Sequence, residues 1–137
     1  MSDAIRRCFP LMVLFLLISI SSAKENVQIA IFRTDAPYAR EQEVALRKGI
    51  RSFADLEKIE VDYIDSRVVS SNLENFSDTA ILVKEVLMKK PKIIATIGTQ
   101  ATAPTWSIVK DTGIPLVFAG VTFPKEMELS EAEVLFE

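Results

Sequence analysis

A short polar loop, Gly98-Thr99-Gln100-Ala101-Thr102, has residue types that could bind an anion. An apolar run at residues 93–97 precedes the loop, and a segment of helical length follows it. A glycine-led turn into a helix presents free backbone N–H groups and a partial positive charge, which suit a carboxylate or a phosphate. The Thr99 and Thr102 hydroxyls and the Gln100 amide add donors. The alternative is capping, in which Thr99 or Thr102 only satisfies the backbone of its own helix.

Polar residues also follow two other apolar runs. Thr34 and Asp35 come just after the run at residues 27–32, and Thr122 comes after the run at residues 116–121. Asp35 could hold the ammonium group of a solute, or it could cap the helix that begins near Tyr38. In an open parallel sheet, ligands bind outside the carboxyl ends of the strands. We therefore expect these residues to share one edge of the sheet with the Gly98 loop.

The composition removes several kinds of chemistry. The chain has no histidine, and its single cysteine is Cys8. The commonest general base, the thiol nucleophile and the usual zinc ligands are therefore missing from the expected domain. No constellation of residues for catalysis stands out, and no cofactor is implied. The net charge of −3 gives no electrostatic case for a nucleic-acid partner.

Apolar runs lie at residues 27–32, 93–97 and 116–121, and residues 59–64 alternate between apolar and polar, as in a half-exposed strand near a sheet edge. Segments of helical length separate these four expected strands, an order that predicts an α/β fold, an open parallel sheet with helices on both faces. The expected strand order is 2-1-3-4, as in flavodoxin-like domains. Residues 66–75 are polar and predict an irregular loop that contributes to the same edge of the sheet.

The first helical segment, at about residues 38–56, carries an apolar stripe of Leu46, Ile50, Phe53 and Ala54 at helical spacing. We expect this stripe to pack on the sheet. Gly49 belongs to the stripe, where it would either allow close approach to the sheet or be a tolerated defect.

The two ends of the chain differ from its middle. Arg6 and Arg7 precede a 12-residue apolar run, and Ser21-Ser22-Ala23 supplies small residues after it. Residues 1–23 therefore predict a secretory signal peptide cleaved after Ala23, and hence a periplasmic or secreted protein. An uncleaved membrane anchor is the alternative. Residues 24–124 form the expected domain, and residues 125–137 an acidic tail or a truncated hinge region.

The pattern KIIATIGTQAT…IPLVFAGVTFP resembles the first lobe of a group of ABC-transporter substrate-binding proteins, the tryptophan/tyrosine-type group. Those proteins have the type I periplasmic-binding fold. The resemblance covers about residues 27–124, the N-terminal lobe only, whereas family members continue through a hinge into a second lobe. Phe123 stands where the family usually has Asp. The matching residues are Gly98, Thr99, Ile114, Pro115, Val117, Phe118, Val121, Thr122 and Pro124.

The resemblance implies a secreted solute-binding component of an uptake system, or a truncated lobe of one, that binds an amino-acid-like solute without catalysis. It places the carboxylate contacts of the ligand in the loop from Gly98 to Thr102. The implied partners are the small solute and an ABC permease, and the open face of a lone lobe could pair with a second copy. Two alternatives remain. One is an extracytoplasmic sensing or interaction module. The other is a small flavodoxin-like enzyme domain, which the glycine-free first loop RTDAP disfavours.

Overall fold

The computed structural model describes residues 25–70 and 76–122. The expected signal peptide and the acidic tail lie outside these residues, as do Asn72 and Asn75, either of which could cap the second helix. Seven elements alternate along the chain. They are β1 (Asn26–Thr34), α1 (Pro37–Glu57), β2 (Glu60–Val69), α2 (Phe76–Leu87), β3 (Ile93–Ile97), α3 (Thr99–Val109) and β4 (Leu116–Ala119).

The four strands form one parallel sheet in the order β2-β1-β3-β4. The predicted α/β fold and strand order are thus confirmed. β3 and the middle of β1 are short apolar runs buried on both sides, as strands covered by helices must be. α1 covers one side of the sheet, while α2 and α3 pack together on the other side.

Two apolar clusters fill the spaces between sheet and helices. On the α2 and α3 side, Phe32 and Ile94 pack with Val83, Val86 and Val109, all of which are buried. The smaller cluster on the α1 side contains Ile29, Ile31 and Ala95, with Leu46 and Ile50 of α1 packed against them. The sequence of α2 predicts that Ala80, Val83, Val86 and Leu87 face the core; Val83 and Val86 are fully buried there, and Ala80 and Leu87 are partly buried.

One expectation for α1 is wrong, and one alternative that the sequence left open is decided. Phe53 is 59% exposed, so it does not pack on the sheet. Nothing lies within 4 Å of the place where a Gly49 β-carbon would stand, so Gly49 is a tolerated defect of the helix and does not make room for the sheet. The side of α1 that faces the sheet contains Leu46, Ile50 and Ala54 together with two charged side chains, Glu43 and Arg47. It therefore carries fewer apolar residues than the stripe predicts.

The strand ends also differ from the sequence expectation. β2 continues to Val69, through residues that predict a loop, because it pairs with β1 as far as Thr34. The pairing of β2 with β1 includes a β-bulge: Ile29 pairs with Tyr63 and Ala30 with Asp65, which leaves Ile64 as the extra residue. β4 ends earlier than expected, at Ala119, because Gly120 adopts a φ of +62° that ends the extended run.

Polar side chains tie the end of β2 to the helices on both sides of the sheet. The Ser66 hydroxyl donates to a Glu43 carboxylate oxygen of α1 at 3.1 Å. The neighbouring Asp65 accepts from Lys89 Nζ, just beyond α2, at 2.9 Å. These contacts explain why a polar sequence forms a strand here: its polar groups have partners across the sheet and not only in water.

Candidate functional site

The carboxyl ends of β1, β3 and β4 meet at one edge of the sheet, and backbone hydrogen bonds hold their loops together. The Gly98 N–H donates to the Ala119 carbonyl at 2.9 Å, which joins the loop after β3 to the end of β4. At the end of β1, the Asp35 N–H donates to the Val69 carbonyl at 3.0 Å. The predicted convergence of these loops is therefore present in the fold.

Gly98 is the N-cap residue of α3, and its geometry admits no side chain. Its φ of +93° and ψ of 151° belong to a region that is essentially restricted to glycine. A β-carbon there would lie 2.7 Å from Thr34 Cγ2 and 2.8 Å from Thr34 Oγ1. The Thr34 side chain thus lies directly against the backbone that begins α3.

Thr34 is fully buried, and its hydroxyl has no hydrogen-bond partner among the described residues. A buried hydroxyl without a partner costs about 1–3 kcal/mol, so native structures rarely keep one without a reason. The Thr34 hydroxyl points at the N-terminus of an 11-residue helix whose first N–H groups have no partner within the helix. A hydrogen-bond acceptor placed at that N-terminus could accept from both the Thr34 hydroxyl and these N–H groups.

Thr99 and Thr122, both predicted site residues, lie together in the structure. The Thr122 backbone N–H donates to the Thr99 hydroxyl oxygen at 2.9 Å. Because the Thr99 hydroxyl accepts in this bond, its own proton remains available to a ligand. The Thr122 residue is exposed, and Thr99 and Gln100 are partly exposed at the start of α3.

Ala101 and Thr102 lie deeper than the other predicted site residues, and both are fully buried. The Thr102 hydroxyl donates to the Gly98 carbonyl at 2.8 Å and lies 2.9 Å from the Thr96 hydroxyl, with which it makes a second hydrogen bond. The Thr102 hydroxyl therefore bonds back to a carbonyl of its own helix and does not cap the helix N-terminus, so the capping alternative does not hold for Thr102. The N-cap residue itself is Gly98, so Pro104 lies inside α3 and has no N–H to donate to the Gln100 carbonyl.

Asp35 is exposed and lies one residue before Ala36, the N-cap residue of α1. The Asp35 side chain therefore does not occupy the N-cap position that the sequence allowed for it. Pro37 takes the first position of the helix, where a missing N–H costs nothing. Asp35 is the charged residue among the candidate site residues.

Tyr38, which from the sequence could stack on a ligand or be a surface aromatic, also lies at this edge on the first turn of α1, and so does Gln42, which the sequence did not predict as a contact. The Tyr38 hydroxyl lies 3.2 Å from the place of a Gly98 β-carbon, and Tyr38 Cε2 lies 3.3 Å from that of Gly120. Gln42 Oε1 lies 2.9 Å from the place of the Gly120 β-carbon. Tyr38 and Gln42 are four residues apart and so share one side of α1, which is the sequence signal that links them.

A charged cluster stands behind the site on the α1 side of the sheet. Arg33 Nε donates to Glu43 Oε2 at 2.7 Å, and its Nη1 donates to the Thr34 carbonyl at 3.0 Å. Arg47 donates to Glu43 Oε1 and lies 4.2 Å above the centre of the Tyr63 ring. Burial alone would raise the pKa of Glu43, but the hydrogen bonds and charge of Arg47, with the bonds from Ser66 and Arg33, lower it. Burial raises the pKa of Tyr63.

Within residues 25–70 and 76–122, no three His, Cys, Asp or Glu side chains stand close enough together to hold a metal ion. The same residues contain no helix that is both long and apolar enough to cross a membrane.

A solved structure has a similar fold, an ABC domain in complex with L-Trp from Streptococcus pneumonia. It aligns with a TM-score of 0.51 and 21% sequence identity over 77% of the present chain. The chain spans 34% of the length of that protein. No protein-family model matches the sequence, and no curated protein matches it. At this identity the similarity shows the fold alone, an α/β sheet like that of an ABC-type solute-binding domain.

Proposed function

We propose that the chain is a solute-binding lobe of an ABC-type uptake system, which binds a small amino-acid-like solute without catalysing a reaction. The observation that carries the proposal is the unpartnered Thr34 hydroxyl, buried against the glycine that begins α3. A solute carboxylate at this helix N-terminus would accept from the free N–H groups and from the Thr34 and Thr99 hydroxyls. The similar fold of a domain that holds L-Trp supports the amino-acid class.

The remaining parts of the proposal follow from the sequence. Asp35 would face the solute ammonium group, and Thr122 would complete the wall through its backbone contact with Thr99. The basic start and short apolar run of residues 1–23 support export to a periplasmic or extracellular compartment. An ABC permease in the membrane would then be the partner that receives the solute.

Thr34→Val tests this function, because it removes the hydroxyl and keeps nearly the same side-chain volume. We expect the variant to bind amino acids less tightly by about 0.5–1.5 kcal/mol, the scale of one hydrogen bond. Its free energy of unfolding should stay equal or rise, since the lost hydroxyl has no partner in the unliganded protein. Titration followed by NMR chemical shifts, together with urea unfolding, measures both quantities.

Thr102→Val is the matched control for stability. It removes a buried hydroxyl that is hydrogen-bonded, so the control should lose about 1 kcal/mol of stability. Amino amides, which lack the carboxylate, should bind more weakly than the acids. If Thr34→Val leaves amino-acid affinity unchanged, the carboxylate is not at this helix, and if the wild-type chain binds no amino acid the proposed function is wrong.

A further inference from the structure

The first turns of α1 contribute two side chains to the edge of the sheet where the solute is proposed to bind. Tyr38 spans the loops after β3 and β4: its hydroxyl stands against Gly98 and its ring edge against Gly120. Gln42 stands against Gly120 as well, one helical turn further along. β-Carbons at these glycines would crowd Tyr38 and Gln42, so the two glycines leave room for these side chains.

Tyr38 lies against the two loops and is open to solvent. Its hydroxyl lies close to the start of α3, yet 45% of the residue is exposed. An aromatic ring with an open face is a surface on which an apolar or planar group can pack. Gln42 is exposed beside it and brings both a donor and an acceptor without a charge.

Among the described candidate residues at this edge, most side chains are uncharged. Thr34, Thr99, Gln100 and Thr122 are neutral, and Arg33 is already paired with Glu43 at 2.7 Å. Asp35 is the charged member of the candidate residues, and the ammonium group of the solute would bind next to it. A second charge on the solute would therefore gain no further ion pair from these candidate residues.

We propose that Tyr38 and Gln42 determine the specificity of this site and select solutes whose side chain is uncharged. This assignment rests on the proposed function. The Tyr38 hydroxyl adds a donor beside the carboxylate position at Gly98, the exposed ring packs against the solute side chain, and the Gln42 amide takes a neutral hydrogen-bonding group. A charged side chain would gain no ion pair from either residue, whereas a neutral one would gain the ring contact and the amide hydrogen bond.

The test is an NMR titration of the wild-type chain and four variants with amino acids that share the carboxylate and ammonium groups but differ in side chain. Gln42→Glu should improve the binding of Lys and Arg relative to neutral amino acids by about threefold to fivefold, the upper range for an exposed charge pair. Val44→Glu is the control, since Val44 is exposed and lies two residues after Gln42, on the opposite side of α1.

Tyr38→Phe separates the roles of the hydroxyl and the ring. It should weaken the binding of all amino acids by about the same factor, because it removes only the donor near the shared carboxylate. Tyr38→Ala should in addition reduce the differences in affinity between amino acids with different side chains.

An unchanged ranking in Tyr38→Ala, or equal effects of Gln42→Glu and Val44→Glu, would overturn this assignment and leave the proposed function standing. Absence of amino-acid binding by the wild-type chain would remove the proposed function and the assignment together. A shift toward Lys and Arg in Gln42→Glu alone supports both.

Discussion

At this edge of the sheet, the same residues matter both for folding and for the proposed ligand site. Gly98 is required because its backbone conformation excludes a β-carbon and because Thr34 occupies the adjacent space. Thr34 in turn is buried with an unpartnered hydroxyl, an arrangement that a well-packed core would avoid. Thr34, Tyr63 and Trp106 are the described residues with a buried polar side-chain atom that has no partner, and of these the Thr34 hydroxyl lies beside Gly98 at the start of α3.

Alanine at two glycines should have opposite effects on stability. Gly98→Ala should lower the free energy of unfolding by at least about 2 kcal/mol, from the strained backbone and the 2.7 Å approach to Thr34 Cγ2. Gly49→Ala should raise it by about 0.5–1 kcal/mol, because Gly49 lies inside α1 with nothing within 4 Å of its β-carbon position. Urea unfolding of both variants measures the pair. A destabilised Gly49→Ala variant would mean that Gly49 does not lie on the exposed side of a regular helix.

At the scale of the elements, carboxylates on β2 and α1 fasten the two helix layers to the sheet. Glu43 joins α1 to β1 and β2 through Arg33 and Ser66. Asp65 joins β2 to the end of α2 through Lys89. Burial alone would raise the pKa of Asp65, but Lys89 and Arg67 lower it. Ser66 and Asp65 are adjacent in the edge strand β2. One therefore contacts α1 on one side of the sheet, and the other contacts the residue beyond α2 on the opposite side.

The lowered pKa of Glu43 predicts a loss of stability in acid. A carboxylate whose pKa is lower in the folded state than its ordinary 4.5 stabilises the fold fully above that value. The stabilisation is lost as the pH falls through the folded-state pKa, so the wild-type chain should weaken below about pH 5. Glu43→Gln should be less stable at neutral pH and should show a shallower decline in acid.

Urea midpoints measured at a series of pH values test this dependence. Glu41→Gln is the control, because Glu41 is exposed two residues earlier and so lies on the opposite side of α1. Parallel acid profiles for Glu43→Gln and the wild-type chain would show that the Glu43 cluster does not couple folding to pH.

The sequence predicted the elements better than their ends, and the reasons are local. Short apolar runs separated by helical segments leave few topologies, so the four parallel strands and their order could be deduced. The end of β2 could not, because its polar residues are satisfied by Glu43, which is 23 residues from Ser66. The same limit applies to the site: the Gly98 loop has a local signature, whereas the approach of Tyr38 and Gln42 to the two glycines depends on how α1 lies on the sheet.

At the scale of the whole molecule, the described residues would supply only one wall of the proposed binding site. Sites for small molecules usually enclose 70–90% or more of a ligand, and periplasmic binding proteins achieve this by closing two domains around it. Here the strand ends, the start of α3 and the first turns of α1 all lie on one side of any solute bound at Gly98. The chain spans 34% of the length of the similar L-Trp-bound protein.

A solute on such an open wall keeps much of its hydration and is held by few groups. We therefore expect the isolated monomer to bind free amino acids at a dissociation constant of about 1 mM or weaker, near −4 kcal/mol. The surface at the carboxyl ends of the strands should instead bind a second copy or another protein, which would supply the opposite wall of the site. Size-exclusion chromatography with light scattering separates monomer from dimer, and titration of each fraction follows. Tighter binding by the dimer fraction is the expected result, whereas micromolar binding by a clean monomer would show that this lobe encloses its ligand alone.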